Sequence, residues 1–190
     1  MDKPRLVLHI CCAPDEAWVV HSLKDEYTLT SFFCNPNISP LEEYQLRVNE
    51  ARLVADRFAV PFFADEYDPD SWESAIANFE DTPEGGERCR RCYALRLNRT
   101  AAFCKQKGYP SFSTVMSISP HKNVALLNEC GADAAREYGL TFIPFDFKKN
   151  DGFRKSVTLS NELKLYRQDY CGCRLSKEER EMRKNRIKDK

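Results

Sequence analysis

The nearly continuous apolar run from Leu6 to Cys12 constrains the fold more than any other feature of this chain. A strand with one wet face alternates polar and apolar residues, so an unbroken run marks a strand covered on both faces, as in a parallel sheet between layers of helices. Pro14-Asp15 then opens a segment that reads as helical to Lys24. The pattern repeats: Leu29 to Cys34 is a second apolar run, stopped by Asn35-Pro36-Asn37, after which Leu41, Tyr44, Val48, Ala51, Ala55 and Phe58 recur at helical three-and-four spacing. A short strand is expected over Val60 to Ala64, a helix over Trp72 to Phe79, and a longer helix over Cys89 to Lys107 after the Gly85-Gly86 break. Strands over Phe112 to Ser117 and Thr141 to Phe145, separated by a helix over Asn123 to Tyr138, complete the alternation. Such alternation implies right-handed crossovers and an α/β fold with an open, mostly parallel, doubly wound (Rossmann-like) sheet and flanking helices.

The 190 residues, 42% hydrophobic and 31% charged, suit one compact domain, expected over residues 1–176, with a charged C-terminal helix or tail over residues 177–190. The formal net charge is +0, so no global field draws the chain to nucleic acid or membrane, and any such binding must use a local patch. The apolar run after Met1-Asp2-Lys3-Pro4-Arg5 is too short for a secretory segment, and no stretch approaches a membrane span, which points to a cytoplasmic protein without a membrane partner. In that reducing compartment, nine cysteines argue for metal binding or redox work rather than a disulfide scaffold.

Open parallel sheets hold their ligands beyond the carboxyl ends of the strands, so a metal site is expected there. The residues just after the strands are Cys11-Cys12-Ala13-Pro14-Asp15, Asn35-Pro36-Asn37, Ser117-Ile118-Ser119-Pro120 and Asp146. Cys89-Arg90-Arg91-Cys92 is a C-x-x-C that, at a helix start, puts both sulfurs on one face, where the helix dipole and Arg88, Arg90 and Arg91 favour the thiolate. Cys11-Cys12 would point to opposite sides of an unbroken strand, but Pro14 forces a turn that lets both sulfurs face the strand ends. Cys171-Gly172-Cys173 is a third pair, in which the glycine opens backbone angles closed to other residues. Cys34, Cys104 and Cys130 are isolated from one another in sequence and read as core residues. Asp15 stands either as a ligand or as an acid favoured in the first turn of a helix. Four thiolates suit zinc or an iron-sulfur cluster alike, but six paired cysteines exceed the need of one zinc, so a cluster with a neighbouring thiol site fits better.

These segments resemble the cobalamin-independent epoxyqueuosine reductase family of bacterial tRNA modification. The matching stretches are Cys11-Cys12-Ala13-Pro14-Asp15, Asn35-Pro36-Asn37-Ile38 with Pro40, Glu43 and Tyr44, and Glu84-Gly85-Gly86-Glu87-Arg88-Cys89-Arg90-Arg91-Cys92. They continue with Ser119-Pro120-His121-Lys122, Asp146-Phe147-Lys148-Lys149 and Leu165-Tyr166-Arg167-Gln168-Asp169-Tyr170-Cys171-Gly172-Cys173. The resemblance implies that Cys11, Cys12, Cys89 and Cys92 hold a 4Fe-4S cluster. It implies further that Cys171 and Cys173 form a redox-active pair or, with Asp15, bind an additional mononuclear iron. The implied catalytic residues are Cys171, Cys173 and Asp15, and the implied partners are a tRNA carrying epoxyqueuosine in its anticodon and a separate electron donor. One departure is Met116-Ser117, where the family carries a threonine-leucine type segment.

The family's reaction turns an epoxide on a modified anticodon base into a cyclopentene and water, which takes two electrons and two protons. His121 and Lys122 are candidates for phosphate contact, and Tyr166 and Arg167 for stacking on a splayed base. The basic segment from Arg174 to Lys190 reads as a solvated helix of mixed charge rather than an RNA-binding arm. Two other functions remain in view. ATP-dependent tRNA thiolases share the architecture but need a glycine-rich phosphate loop, which Cys12-Ala13-Pro14-Asp15 does not supply. An ATP-independent iron-sulfur or zinc tRNA-binding module without reductase activity would use the same cysteines.

Overall fold

A computed structural model describes residues 2–188. Five strands form one sheet: β1 (Arg5–Ile10), β2 (Thr28–Phe33), β3 (Phe62–Ala64), β4 (Ser111–Thr114) and β5 (Thr141–Phe142), in the order β3-β2-β1-β4-β5. Every pairing between neighbours is parallel, and β1 is central, with Val7 opposite Thr30 on one side and Phe112 on the other. Leu6, Leu8 and Ile10 enter one core cluster and Val7 the other, so the apolar run at the N-terminus serves both faces of the sheet.

Helices α1 (Ala13–Leu23), α2 (Leu41–Arg57), α3 (Pro69–Ile76), α4 (Glu87–Lys107), α5 (Val124–Tyr138), α6 (Gly152–Glu162) and α7 (Arg174–Lys188) connect and flank the strands. On one side α1 packs between α2 and α6, and on the other α4 packs along α5. No helix among the described residues is long and apolar enough to cross a membrane. Asp189 and Lys190, the end of the expected charged segment, lie outside the described residues.

The strand expected from Val60 begins at Phe62 and the C-terminal helix expected from residue 177 begins at Arg174, and three other elements are shorter or shifted for local reasons. The strand expected to run to Ser117 ends at Thr114, whose hydroxyl accepts from the Met116 amide at 3.2 Å and starts a tight turn over Val115–Ile118. The strand expected to reach Phe145 ends at Phe142, two residues before Pro144, which has no amide proton for the ladder. The helix expected over Trp72 to Phe79 begins at Pro69, because the Asp68 side chain caps it at the Ser71 amide (3.1 Å).

In this strand order the chain switches direction at β1, so the crevice lies between the carboxyl ends of β1 and β4. The segments that enter that crevice are Cys11-Cys12, the start of α1, and the stretch from Val115 to Lys122.

Candidate metal and substrate site

β1 stops at Ile10, and Cys12 takes an extended conformation as the residue capping α1. That break brings both sulfurs to one side: Cys11 Sγ lies 3.8 Å from Cys12 Sγ and donates to Asp15 Oδ2 at 3.5 Å. Among the described residues, this trio is the one group whose candidate ligand atoms all lie within 4.8 Å of one another. The adjoining Cys12 thiol and burial hold the Cys11 thiol well above its ordinary pKa. Burial also raises the Asp15 carboxyl, against the pull of the Cys12 and Cys11 thiols and of the charges on Arg167 and Lys122.

Cys89 and Cys92 sit in the first turns of α4, and Cys89 Sγ accepts from the Gly85 amide at 3.2 Å. The structure corrects the expectation for Arg90 and Arg91, while Arg88 keeps its electrostatic pull on Cys89 and Cys173. Arg88 is bound to Glu179 and to the Glu80 and Thr82 carbonyls, Arg90 pairs with Glu129 (2.5 Å), and Arg91 with Glu87 (3.1 Å). Burial pushes the Cys89 thiol up, with the Gly85 amide and Lys122 opposing it. Besides Arg88, the cations that face the sulfurs are Arg96 and Lys122.

Arg96 is 2% exposed and reaches the Cys34 carbonyl (3.3 Å), the Asn35 side chain and Cys92 Sγ (3.9 Å). Burial works against its charge, and the sulfurs of Cys92, Cys11 and Cys171 restore it. Sequence reasoning passed over Arg96, although its position one helical turn beyond Cys92 was a usable signal. Lys122, expected to meet phosphate, points inward: its ammonium donates to Cys171 Sγ at 2.8 Å and pairs with Glu84 at 3.6 Å. Burial would push the Cys171 thiol up, but Lys122 and Arg96 outweigh it and hold that thiol below its ordinary value.

Gly172 lets Cys171 and Cys173 go separate ways. Its φ is +130°, and a Cβ there would lie 3.1 Å from both Arg47 Nη1 and Ile38 Cγ1. Arg47 holds the segment by donating to the Cys171 (3.1 Å) and Tyr170 (3.3 Å) carbonyls while paired with Glu43 (2.6 Å). Cys173 packs with Cys92, Trp72 and Ile76 and accepts from the Ser176 amide at 3.4 Å. Burial, helped by the Cys171 charge, pushes its thiol up to about 11. Cys171 and Cys173 are both free thiols here.

A cavity of about 600 Å³ opens on this assembly, and Cys11, Asp15, Arg96, Lys122 and Cys171 form part of its wall. Cys12, Cys89, Cys92 and Cys173 are not on that wall, but Cys89 packs against the same core cluster as Cys11 and feels the charges of Cys171 and Cys92. Cys34, Cys104 and Cys130 are buried in the core, as their isolation in sequence suggested.

The sequence profile of the family described as epoxyqueuosine reductase QueH matches residues 6–179. The chain belongs to the QueH family. It is 37% identical over 178 residues to the epoxyqueuosine reductase QueH of Thermotoga maritima, covering 92% of this chain and 91% of that one. The corresponding protein of Streptococcus pyogenes is 36% identical over 177 residues, covering 90% of this chain and 69% of that one. Among solved structures, the U34-tRNA thiolase NcsA from Methanococcus maripaludis with its [4Fe-4S] cluster shares the fold. The match has a TM-score of 0.56 at 10% identity and covers 100% of this chain and 68% of the thiolase. Of the residues on which the resemblance rested, Cys11, Asp15, Glu84, Lys122 and Cys171 line the cavity, whereas Cys12, Cys89, Cys92 and Cys173 do not.

Proposed function

We propose that this chain reduces epoxyqueuosine in the tRNA anticodon to queuosine, working in the cytoplasm with electrons from a separate donor. The observation that carries this reading is that Cys11, Asp15 and Cys171 share one strand-end cavity wall, with Cys12 beside Cys11 and Cys92 packed with Cys173, in a chain of the QueH family. Removing the epoxide oxygen as water takes two electrons and two protons and leaves a carbon-carbon double bond.

The donor set suits iron-sulfur chemistry: it is rich in soft thiols, without histidine, and faced by buried cations that offset anionic sulfur. Cys11, Cys12, Cys89 and Cys92 would hold a 4Fe-4S cluster, and Asp15 with Cys171 and Cys173 would hold an additional iron or, as a dithiol, form the second redox site. A cluster so held supplies single electrons. The chain's own residues do the rest. Lys122 and Arg96 keep negative charge on Cys171 tolerable in a buried site. Arg47 and Gly172 fix Cys171 on the cavity wall, and Asp15 presents a carboxyl there at the start of α1. Nucleotide-driven chemistry is disfavoured, because the first turn of α1 carries Asp15 and Glu16, two buried carboxyls where a phosphate-binding helix would present bare amides.

The test is to purify the protein anaerobically, record its spectrum and metal content, and incubate it with reductant and an RNA hairpin carrying epoxyqueuosine. Brown protein and an RNA product lighter by one oxygen atom are expected. Colourless zinc protein that binds the hairpin without changing its mass would establish the non-catalytic binding module instead.

A further inference from the structure

The same cavity wall carries groups for which epoxide reduction has no use. Phe153, in the first turn of α6, is 36% exposed and faces the cavity. The Arg167 guanidinium lies over its ring, 5.5 Å from the centroid, and is itself steadied by donating to Ser160 Oγ at 3.1 Å. Tyr166, the aromatic favoured from sequence, is instead engaged: its hydroxyl donates to the Glu43 carboxylate (3.0 Å), and it is absent from the wall.

We propose that Phe153 and Arg167 form a stacking shelf for a nucleobase adjoining the reacting nucleoside in a single-stranded RNA loop. This inference rests on the reading of the chain as a tRNA reductase. Three observations support it. The shelf is rigidly placed: Gly152 brings the start of α6 so close to the Phe147 carbonyl that a Cβ would lie 1.8 Å from its oxygen. It is also tied to the reacting end, because Ser156, in the second turn of α6, donates to the Pro14 carbonyl at 2.9 Å in the first turn of α1, and Arg167 and Asp15 line the same cavity. Finally, Arg167 brings to the wall a guanidinium that no carboxylate among the described residues neutralises, whereas Lys122 and Arg96 are turned to the sulfurs, Arg47 to Glu43, and Arg180 and Arg183 to Asp169 and Glu179. An aromatic ring under a guanidinium offers a base a flat apolar surface beside a cation, the usual way in which unpaired bases are held.

The experiment is a cycle between protein and RNA. Binding of the anaerobic holoprotein to an RNA hairpin with epoxyqueuosine in its loop is measured for wild type, Phe153→Leu and Phe153→Trp. The nucleotide on either side of the modified one is intact or replaced in turn by an abasic sugar. For one of the two sides, the abasic hairpin is expected to weaken wild-type binding about tenfold, and Phe153→Leu to weaken binding of the intact hairpin by a similar factor. The two changes together should weaken it no further than either alone, and Phe153→Trp should bind as wild type does. Losses that simply multiply for both neighbours would overturn the shelf. Turnover of the same hairpin by wild type is read in parallel: reduction with multiplying losses keeps the reductase and removes the shelf, whereas no reduction removes both.

Discussion

Cys171, half-buried on the cavity wall, and Cys104, buried in the core, both feel burial, yet their thiols move in opposite directions. In the core, between α4 and the sheet, Cys104 has only apolar neighbours, and burial pushes it up to about 12. At the strand ends the Lys122 ammonium, 2.8 Å from Cys171, reverses the outcome. Burial alone disarms a thiol, and a buried cation beside it rearms it. Glu16 repeats the first half of the contrast in a carboxyl: its partner is a neutral hydroxyl, Ser31 Oγ at 2.6 Å, and burial pushes it up to about 8.

The sharpest test of this division between strand-end and core cysteines is loss of the cofactor. Cys89→Ser should abolish the brown absorbance altogether, and Cys173→Ser should keep most of it while activity disappears. Loss of colour in both variants would break the assignment of separate roles. Next in size is Lys122→Met, which leaves Cys171 without its cation. In metal-free protein, alkylation of Cys171 at neutral pH should slow severalfold and need higher pH. An unchanged pH profile would show that Lys122 is not what lowers that thiol.

Glu16→Gln tests the same rule through stability. Because the folded-state pKa is raised from 4.5 to about 8, the wild type is fully stabilised below 4.5 and loses stability as pH rises toward about 8, since the unfolded chain ionises first. The stability advantage of Glu16→Gln over wild type should therefore grow with pH across that window. An advantage constant with pH would contradict a buried neutral carboxyl. Smallest is Cys104→Ala, expected to cost about 1 to 2 kcal/mol in a denaturant titration while leaving colour and turnover alone. A change in the spectrum would mean that this core thiol is not merely packing.

Much of this architecture was legible because it is written in local patterns. The apolar runs at Leu6 and Leu29 marked strands covered on both faces, and the spacing from Leu41 to Phe58 marked α2. Less legible was α6, whose start at Asp151-Gly152 looks like a turn until Phe147 is seen against it. The cysteine pairs stood out because their neighbours in sequence carry the signal. Phe153 did not, since a lone phenylalanine on a helix has no local pattern that separates it from an ordinary surface or core residue, and the one signal for Arg96 was its place a turn beyond Cys92.

The sequence by itself determined the layer order of strand and helix, the buried central strand and the thiol pairs, all of which depend on residues within a few positions of one another. Only the tertiary structure decided which cation meets which sulfur. Arg88, Arg90 and Arg91 adjoin Cys89 in the chain but are bound to carboxylates or carbonyls, while Lys122 reaches Cys171 across 49 positions. Charge acts through distance in space, and chain neighbours on a helix point away from one another while strand ends in a parallel sheet converge.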